Sequence, residues 1–293
     1  MQGLFLRTIL QLRKAGIDWN MPVEKWRARM AWSDRFVKLP RQVKIKRDVA
    51  EAVPVEWLIP PNVSSQSVIC YIHGGAWTFG WTNLHRRMVS YISQAAASRA
   101  LAVDYRLAPE YPFPAALEDC VAAYRWLLQI GTSPRNIVIA GDSAGGNLAL
   151  ATLYTLRDAG DPLPAAAVCI SPMTDLAGTG DSFLTNNDPA LTAAFALSMV
   201  RRYVGGQDVH LPTLSPHYGD LRGLPPLSIQ VGEDEILLSD ATRLADNAKA
   251  AGVDVSLAIW PGMWHVWHLF APALPEAQQA VSAIGDFIRQ YWG

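Results

Sequence analysis

The sequence predicts an α/β fold: a mostly parallel, eight-stranded sheet with helices on both faces and a helical cap. Three observations carry this. Strand-like apolar runs alternate with amphipathic helical patterns through the later part of the chain. A strand, a tight turn and a helix follow one another at 136–157. Half of the 293 residues are hydrophobic and only 17% are charged, enough for one large α/β domain with a decoration and too apolar for disorder.

Two amphipathic helices open the chain. Phe5, Ile9 and Leu12 fall on one stripe, with Leu6 and Leu10 beside it. Asn20 can cap a second helix with Pro22 in its first turn, where Val23, Trp26 and Met30 repeat the spacing. Neither helix is long enough to stand alone, so their apolar faces must cover something. Residues 1–42 are therefore read as the N-terminal part of the cap, and 43–293 as the main domain. Strands are expected at 43–49, 53–59, 68–72, 100–104, 137–141, 166–170, 227–231 and 255–260, and helices at 84–97, 114–129, 145–158, 239–250 and 276–291. The first two strands lack an intervening helix and should form an antiparallel hairpin at one edge. Residues 172–226 interrupt the alternation with a predicted helix at 189–203 between polar, Pro/Gly-rich flanks. Long connections in compact domains usually serve function, and the insertion at about 178–212 is read as the second half of the cap.

No apolar run approaches the ~18 residues that cross a bilayer, and the opening residues lack the features of a signal peptide. Cys70, Cys120 and Cys169 sit in apolar patterns, so buried free thiols are expected and a cytoplasmic location fits. Residues 1–50 hold twelve Lys/Arg against four acids, or +8, and with a total of −1 the remainder carries −9. The basic residues alternate with apolar ones, which reads as solvated helix faces rather than a nucleic-acid or membrane-binding block. No metal motif, Walker loop or dinucleotide fingerprint occurs, so neither metal nor cofactor is expected.

The chemistry centres on Gly141-Asp142-Ser143-Ala144-Gly145-Gly146, a G-x-S-x-G elbow between a strand and a helix. Glycines at 141 and 145 leave room where the chain doubles back, and Ser143 is left exposed beside a helix N-terminus. A hydroxyl is a poor nucleophile at neutral pH, so Ser143 needs a base, an orienter for that base, and donors for an oxyanion. His217, His265 and His268 follow it. His217 precedes strand 227–231, too early for an acid from a later strand end to come before it. His265 stands in the loop after strand 255–260, where α/β sites assemble, and is taken as the base. His268 should point elsewhere or pack in the core. The acid should lie in the loop after strand 227–231, where Glu233, Asp234 and Glu235 are adjacent and only one can face His265. The glycines of His73-Gly74-Gly75-Ala76-Trp77 follow an apolar strand, so the N–H groups of Gly74, Gly75 and Ala144 are the expected oxyanion donors.

Together with Asp104-Tyr105-Arg106-Leu107-Ala108-Pro109-Glu110 and the ending Trp260-Pro261-Gly262-Met263-Trp264-His265, these motifs resemble the hormone-sensitive-lipase-like carboxylesterases of the alpha/beta hydrolase superfamily. The resemblance spans almost the whole chain. It implies the alpha/beta hydrolase fold, and it implies that Asp104 and Arg106 brace the loops under the site. The family's acid commonly stands thirty residues before the base, which lands on Glu235, with Asp234 as the alternative. A Glu can serve, because it too can accept from the imidazole and stabilise its cation. Ala76 replaces a third glycine common in relatives. Alanine takes positive φ poorly, but loops of this GGA type imply an open alcohol side, so tertiary-alcohol esters are expected to be accepted. Trp19, Trp26 and Trp32, with Trp77 and Trp264, are candidates to line an apolar pocket favouring short acyl chains, against the plainer reading of core packing.

The expected activity is hydrolysis of short- to medium-chain carboxylic esters through an acyl-enzyme. Its partner is a small-molecule ester, with no nucleic acid or integral membrane association. The edge strand 255–260 could pair a homodimer across a two-fold axis. Two alternatives stand beside this reading: an amidase of the arylformamidase type, whose loop 73–77 resembles this one, and a non-catalytic small-molecule receptor on the same fold. The distinctive 104–110 segment argues against the first, and an intact His265 against the second.

Overall fold

Alternation along each strand sends successive side chains to opposite faces, and here both faces are covered. The computed structural model describes residues 6–8, 10, 11 and 21–292, apart from the side chains of residues 64 and 65. Phe5, Ile9, Leu12, Trp19 and Asn20 lie outside the described residues. The strands are β1 (Lys44–Ala50), β2 (Val53–Ile59), β3 (Ser64–Ile72), β4 (Ser98–Val103), β5 (Ile137–Asp142), β6 (Ala166–Ile170), β7 (Leu227–Gly232) and β8 (Val255–Trp260). They form one sheet in the order β1-β2-β4-β3-β5-β6-β7-β8. Only β2 runs against its neighbours; the β1–β2 hairpin forms the predicted edge.

The helices are α1 (Val23–Asp34), α2 (Asn83–Ala95), α3 (Ala115–Gln129), α4 (Ala144–Ala159), α5 (Asp181–Thr185), α6 (Ala193–Val204), α7 (Leu238–Ala250) and α8 (Pro275–Gln290). Val68, Cys70 and Ile72 of β3 face a core completed by α3, α4 and α7. Ile69 and Tyr71 of the same strand face one completed by α2 and α8. This is why the central strands read as continuous apolar runs. Cys70, Cys120 and Cys169 are free and buried, as expected. Among the described residues no helix is long and apolar enough to cross a membrane.

The insertion differs from its predicted outline. Its main helix begins at Ala193 rather than 189, because the Thr192 hydroxyl caps it by accepting the Phe195 N–H at 3.2 Å. Helix α5 went unpredicted because five residues are too few to display a 3.6 period. On the other side of the sequence, α1 is tied down by charge. Arg27 donates to the carbonyls of Thr78 and Ala108 at 2.8 and 2.7 Å and forks onto Glu110. The Asp34 carboxylate accepts the Asn83 and Leu84 N–H groups at the α2 N-terminus, where free donors favour an anion. The Trp26 ring also meets Phe195 of α6, with centroids 6.3 Å apart.

The strand order positions the site. From β3 the chain moves outward to β4, then crosses back over β3 to β5. This reversal opens a crevice beyond the carboxyl ends of β3 and β5. The loops after β7 and β8 open on the same edge, since those strands run parallel to β5.

Candidate active site

β5 ends at Asp142 and α4 starts at Ala144, leaving Ser143 alone in the turn with φ 54° and ψ −119°. Such a backbone is sparsely populated for an L-residue and persists only when its surroundings hold it. Here the Ser143 N–H donates to the Ile170 carbonyl at 2.8 Å. The flanking glycines are obligatory, since a Cβ on Gly141 would stand 2.3 Å from the Gly145 oxygen, and one on Gly145 2.0 Å from the Ile72 oxygen.

The loops after β7 and β8 lace together. The Glu233 N–H donates to the Trp260 carbonyl at 2.9 Å and the Asp234 N–H to that of Met263 at 3.1 Å. His265 Nε2 then stands 2.9 Å from Ser143 Oγ, and its Nδ1 stands 2.9 Å from Glu235 Oε2. A carboxylate can only accept, so Nδ1 carries the proton and Nε2 is left to accept from the serine hydroxyl. Glu235 is fully buried, and its Oε1 accepts from Ser171 Oγ at 2.6 Å and the Gly232 N–H at 2.7 Å. Burial alone would lower the His265 pKa, but the hydrogen bond and charge of Glu235, followed by the charges of Asp188 and Asp142, leave it raised.

The neighbours point elsewhere. Asp234 pairs with Arg7, and Glu233 accepts the Gly262 N–H at 3.1 Å. His268 is buried, with Nε2 2.8 Å from Gln230 Oε1, and burial pushes its pKa down to about 3. His217 packs against Arg243.

The predicted oxyanion donors need one correction. The Gly74 N–H is taken, donating to Asp142 Oδ1 at 2.9 Å. Gly75, Ala76 and Ala144 have no acceptor for their N–H groups among the described residues. Ala76 does adopt positive φ, at 52°, beside Gly75 at 113°.

A family model described as alpha/beta hydrolase fold matches residues 69–269. An acetyl-hydrolase of Streptomyces hygroscopicus is 48% identical over 81% of this chain and 80% of its own length. An esterase of Acinetobacter venetianus is 37% identical over 78% and 77%. The crystal structure of an esterase from the bacterial hormone-sensitive lipase family superposes with a TM-score of 0.96 at 44% identity, covering all of this chain and 98% of that one. The chain belongs to this family. It is a carboxylic ester hydrolase, and the receptor alternative falls with that.

Several residues that hold this esterase's site together were missed from sequence. Asp142, the variable residue of the elbow, is buried under the loop 73–77, where Tyr71 Oη donates to it at 2.7 Å alongside the Gly74 N–H. Burial would raise its pKa, but nearby His85 and these donors bring it down to about 2. An acid closing an apolar strand was the signal for it. Within 104–110 the residue beneath the site is Tyr105, rather than Asp104 or Arg106. Its ring stacks on His73 at 4.2 Å and its hydroxyl donates to the His73 carbonyl at 2.9 Å. Arg106 instead braces α3 through Asp119, and Asp104 is exposed. Ser171, at the end of β6, carried no signal of its own.

Two of the tryptophans follow the plainer reading, and Trp32 follows neither. Trp77 is buried and stacks on Tyr203 at 4.5 Å, Trp264 is buried against Phe270, and Trp32 is 58% exposed. If Asp142 positions the oxyanion loop, Asp142→Ala should lower kcat by about 10²-fold, the usual result of moving a site by an ångström, with KM little changed. Steady-state kinetics check this; an unchanged kcat contradicts it.

Proposed function

We propose that this esterase hydrolyses short- to medium-chain acyl esters through a serine acyl-enzyme. The observation that carries the reading is the unbroken row from Ser143 through His265 to Glu235, with 2.9 Å at each joint. Ser143 Oγ attacks the ester carbonyl while His265 Nε2 takes its proton. The imidazolium, stabilised by Glu235, returns that proton to the departing alcohol. Water enters by the same path, gives its proton to His265, and releases the acid. The N–H groups of Gly75, Ala76 and Ala144 bind the oxyanion, while Gly74 anchors their loop to Asp142.

In this reading α1 and the insertion helices form a two-part cap. The contacts of Arg27 with the loop after β3 and of Trp26 with Phe195 support it. Phe79, near-parallel to Phe195 at 6.2 Å, adds an aromatic cluster that would shorten the acyl channel. Similar proteins agree with small acyl groups: one is named an acetyl-hydrolase, and the neighbouring structure EstE5 was soaked with p-nitrophenyl butyrate. The exposed Ile259 on edge strand β8 would suit a homodimer contact.

A series of p-nitrophenyl esters from acetate to palmitate tests the chain-length claim. kcat/KM should peak among the short esters and drop by about 10²-fold or more at palmitate, the scale expected when binding energy of a few kcal/mol is lost. Palmitate turned over as well as butyrate contradicts it.

A further inference from the structure

The insertion reaches the reacting histidine with a carboxylate of its own. Asp188 is fully buried. Its Oδ1 accepts the N–H groups of Ala190 at 2.8 Å and Leu191 at 3.3 Å, and, at the long limit of 3.5 Å, that of His265. An oxygen of Asp188, an oxygen of Glu235 and a ring nitrogen of His265 all lie within 4.8 Å of one another. Two residues earlier, Asn186 Nδ2 donates to the carbonyls of Glu233 at 3.0 Å and Glu235 at 2.9 Å. One short segment thus grips both the loop that carries the acid and the loop that carries the base.

We propose that Asp188 is a positioning residue for ester hydrolysis: with Asn186 it clips the loops after β7 and β8 to the insertion, and its carboxylate gives the His265 imidazolium a second countercharge. The inference rests on the serine mechanism proposed above and extends it to the insertion. A buried carboxylate is costly without compensation. Backbone N–H groups supply part of it in the resting enzyme, and the transient imidazolium supplies more during turnover. The two carboxylates have distinct tasks. Glu235 holds the Nδ1 proton and sets the tautomer, whereas Asp188 holds the histidine backbone and adds charge from the side.

The charged and titratable groups facing His265 are Glu235 after β7, Asp142 at the end of β5, Asp188 from the insertion and the neutral His268. Burial pushes the Asp188 carboxyl up to about 6, with the charge of His265 opposing and that of Glu235 adding. In its ionised form Asp188 favours the imidazolium; once protonated in acid it does not.

Asp188→Asn keeps the Oδ1 acceptor and removes the charge. Catalysis needs neutral His265, so the rate rises with pH through the histidine pKa. Losing a negative neighbour lowers that pKa, and the acid limb of kcat/KM should move down by about one unit, within the range for a nearby charge. The same charge stabilises the imidazolium at the transition state, so the plateau kcat should fall about tenfold, the rate equivalent of one pKa unit. The two profiles should therefore converge at acid pH, a signature that loss of packing does not produce. Titration of the downfield His265 Nδ1–H resonance reads the same shift without depending on turnover. Asn186→Ala should lower kcat and leave the limb in place. A limb and plateau matching wild type in Asp188→Asn overturn the proposal, as does a lost plateau with an unmoved limb and resonance. Turnover surviving in Ser143→Ala would instead strike the mechanism beneath it, so the two failures are distinguishable.

Discussion

Replacing Ser143 by alanine is expected to lower kcat by about 10⁶-fold, on the scale seen when the nucleophile of a triad is removed. Alanine is smaller, and the turn at φ 54° is held by backbone contacts, chiefly the Ser143 N–H on the Ile170 carbonyl. Folding should survive and ester should still bind, leaving KM within a few-fold of wild type. What disappears is the only hydroxyl within 2.9 Å of the His265 Nε2 lone pair among the described residues. The residual rate should come from the oxyanion donors and binding alone. Adding Glu235→Gln to Ser143→Ala should therefore cost little more, because the three residues act as a unit. A p-nitrophenyl ester assay at high enzyme concentration measures both variants. A double variant far slower than the single one contradicts the shared role.

Glu235→Gln alone is expected to cost about 10⁴-fold in kcat, the loss typical when an amide replaces the triad acid. The amide can still occupy the buried site between Ser171 and the Gly232 N–H, so geometry is largely kept. It can also present N–H to Nδ1, which favours the wrong tautomer and leaves Nε2 protonated and unable to act as base. The missing charge also strips the imidazolium of its main partner. Asp234→Asn is the control. Its carboxylate faces Arg7, so turnover should stay near wild type. Activity lost in Asp234→Asn and kept in Glu235→Gln would reverse the assignment. In the wild-type enzyme the acid limb of kcat/KM should lie above the ordinary histidine value, because the carboxylates around His265 outweigh its burial.

Much of this architecture was legible because it is written in local patterns. The central strands, buried on both faces, read as unbroken apolar runs. The elbow shows itself because a chain reversing at Ser143 requires glycines at 141 and 145. The residues alone left the three adjacent acids open; the family resemblance supplied the count of thirty from His265 that reaches Glu235, the carboxylate beside it. What escaped depends on contacts distant in sequence. Gly74 looked like a free donor because nothing local reveals that Asp142, far along the chain, would take its N–H. Asp188 sits in Asn186-Asn187-Asp188-Pro189, which reads as an ordinary polar turn until the fold brings it to the histidine loop. Trp77 and Trp264 flank the site in sequence, yet their rings turn into the core, a choice made by tertiary packing. Tyr105 takes the place expected of Asp104 and Arg106 for the same reason, since its ring packs inward on His73 while Arg106 turns to Asp119.

In the proposed mechanism Ser143 forms the covalent intermediate. Incubation with a fluorophosphonate followed by intact-mass and peptide analysis tests it most directly. A single adduct is expected on Ser143, formed at a rate that tracks the loss of esterase activity, slowed sharply in Glu235→Gln and absent in Ser143→Ala. Full inactivation with the adduct on another residue, or an unlabelled enzyme that is equally inactivated, would contradict it.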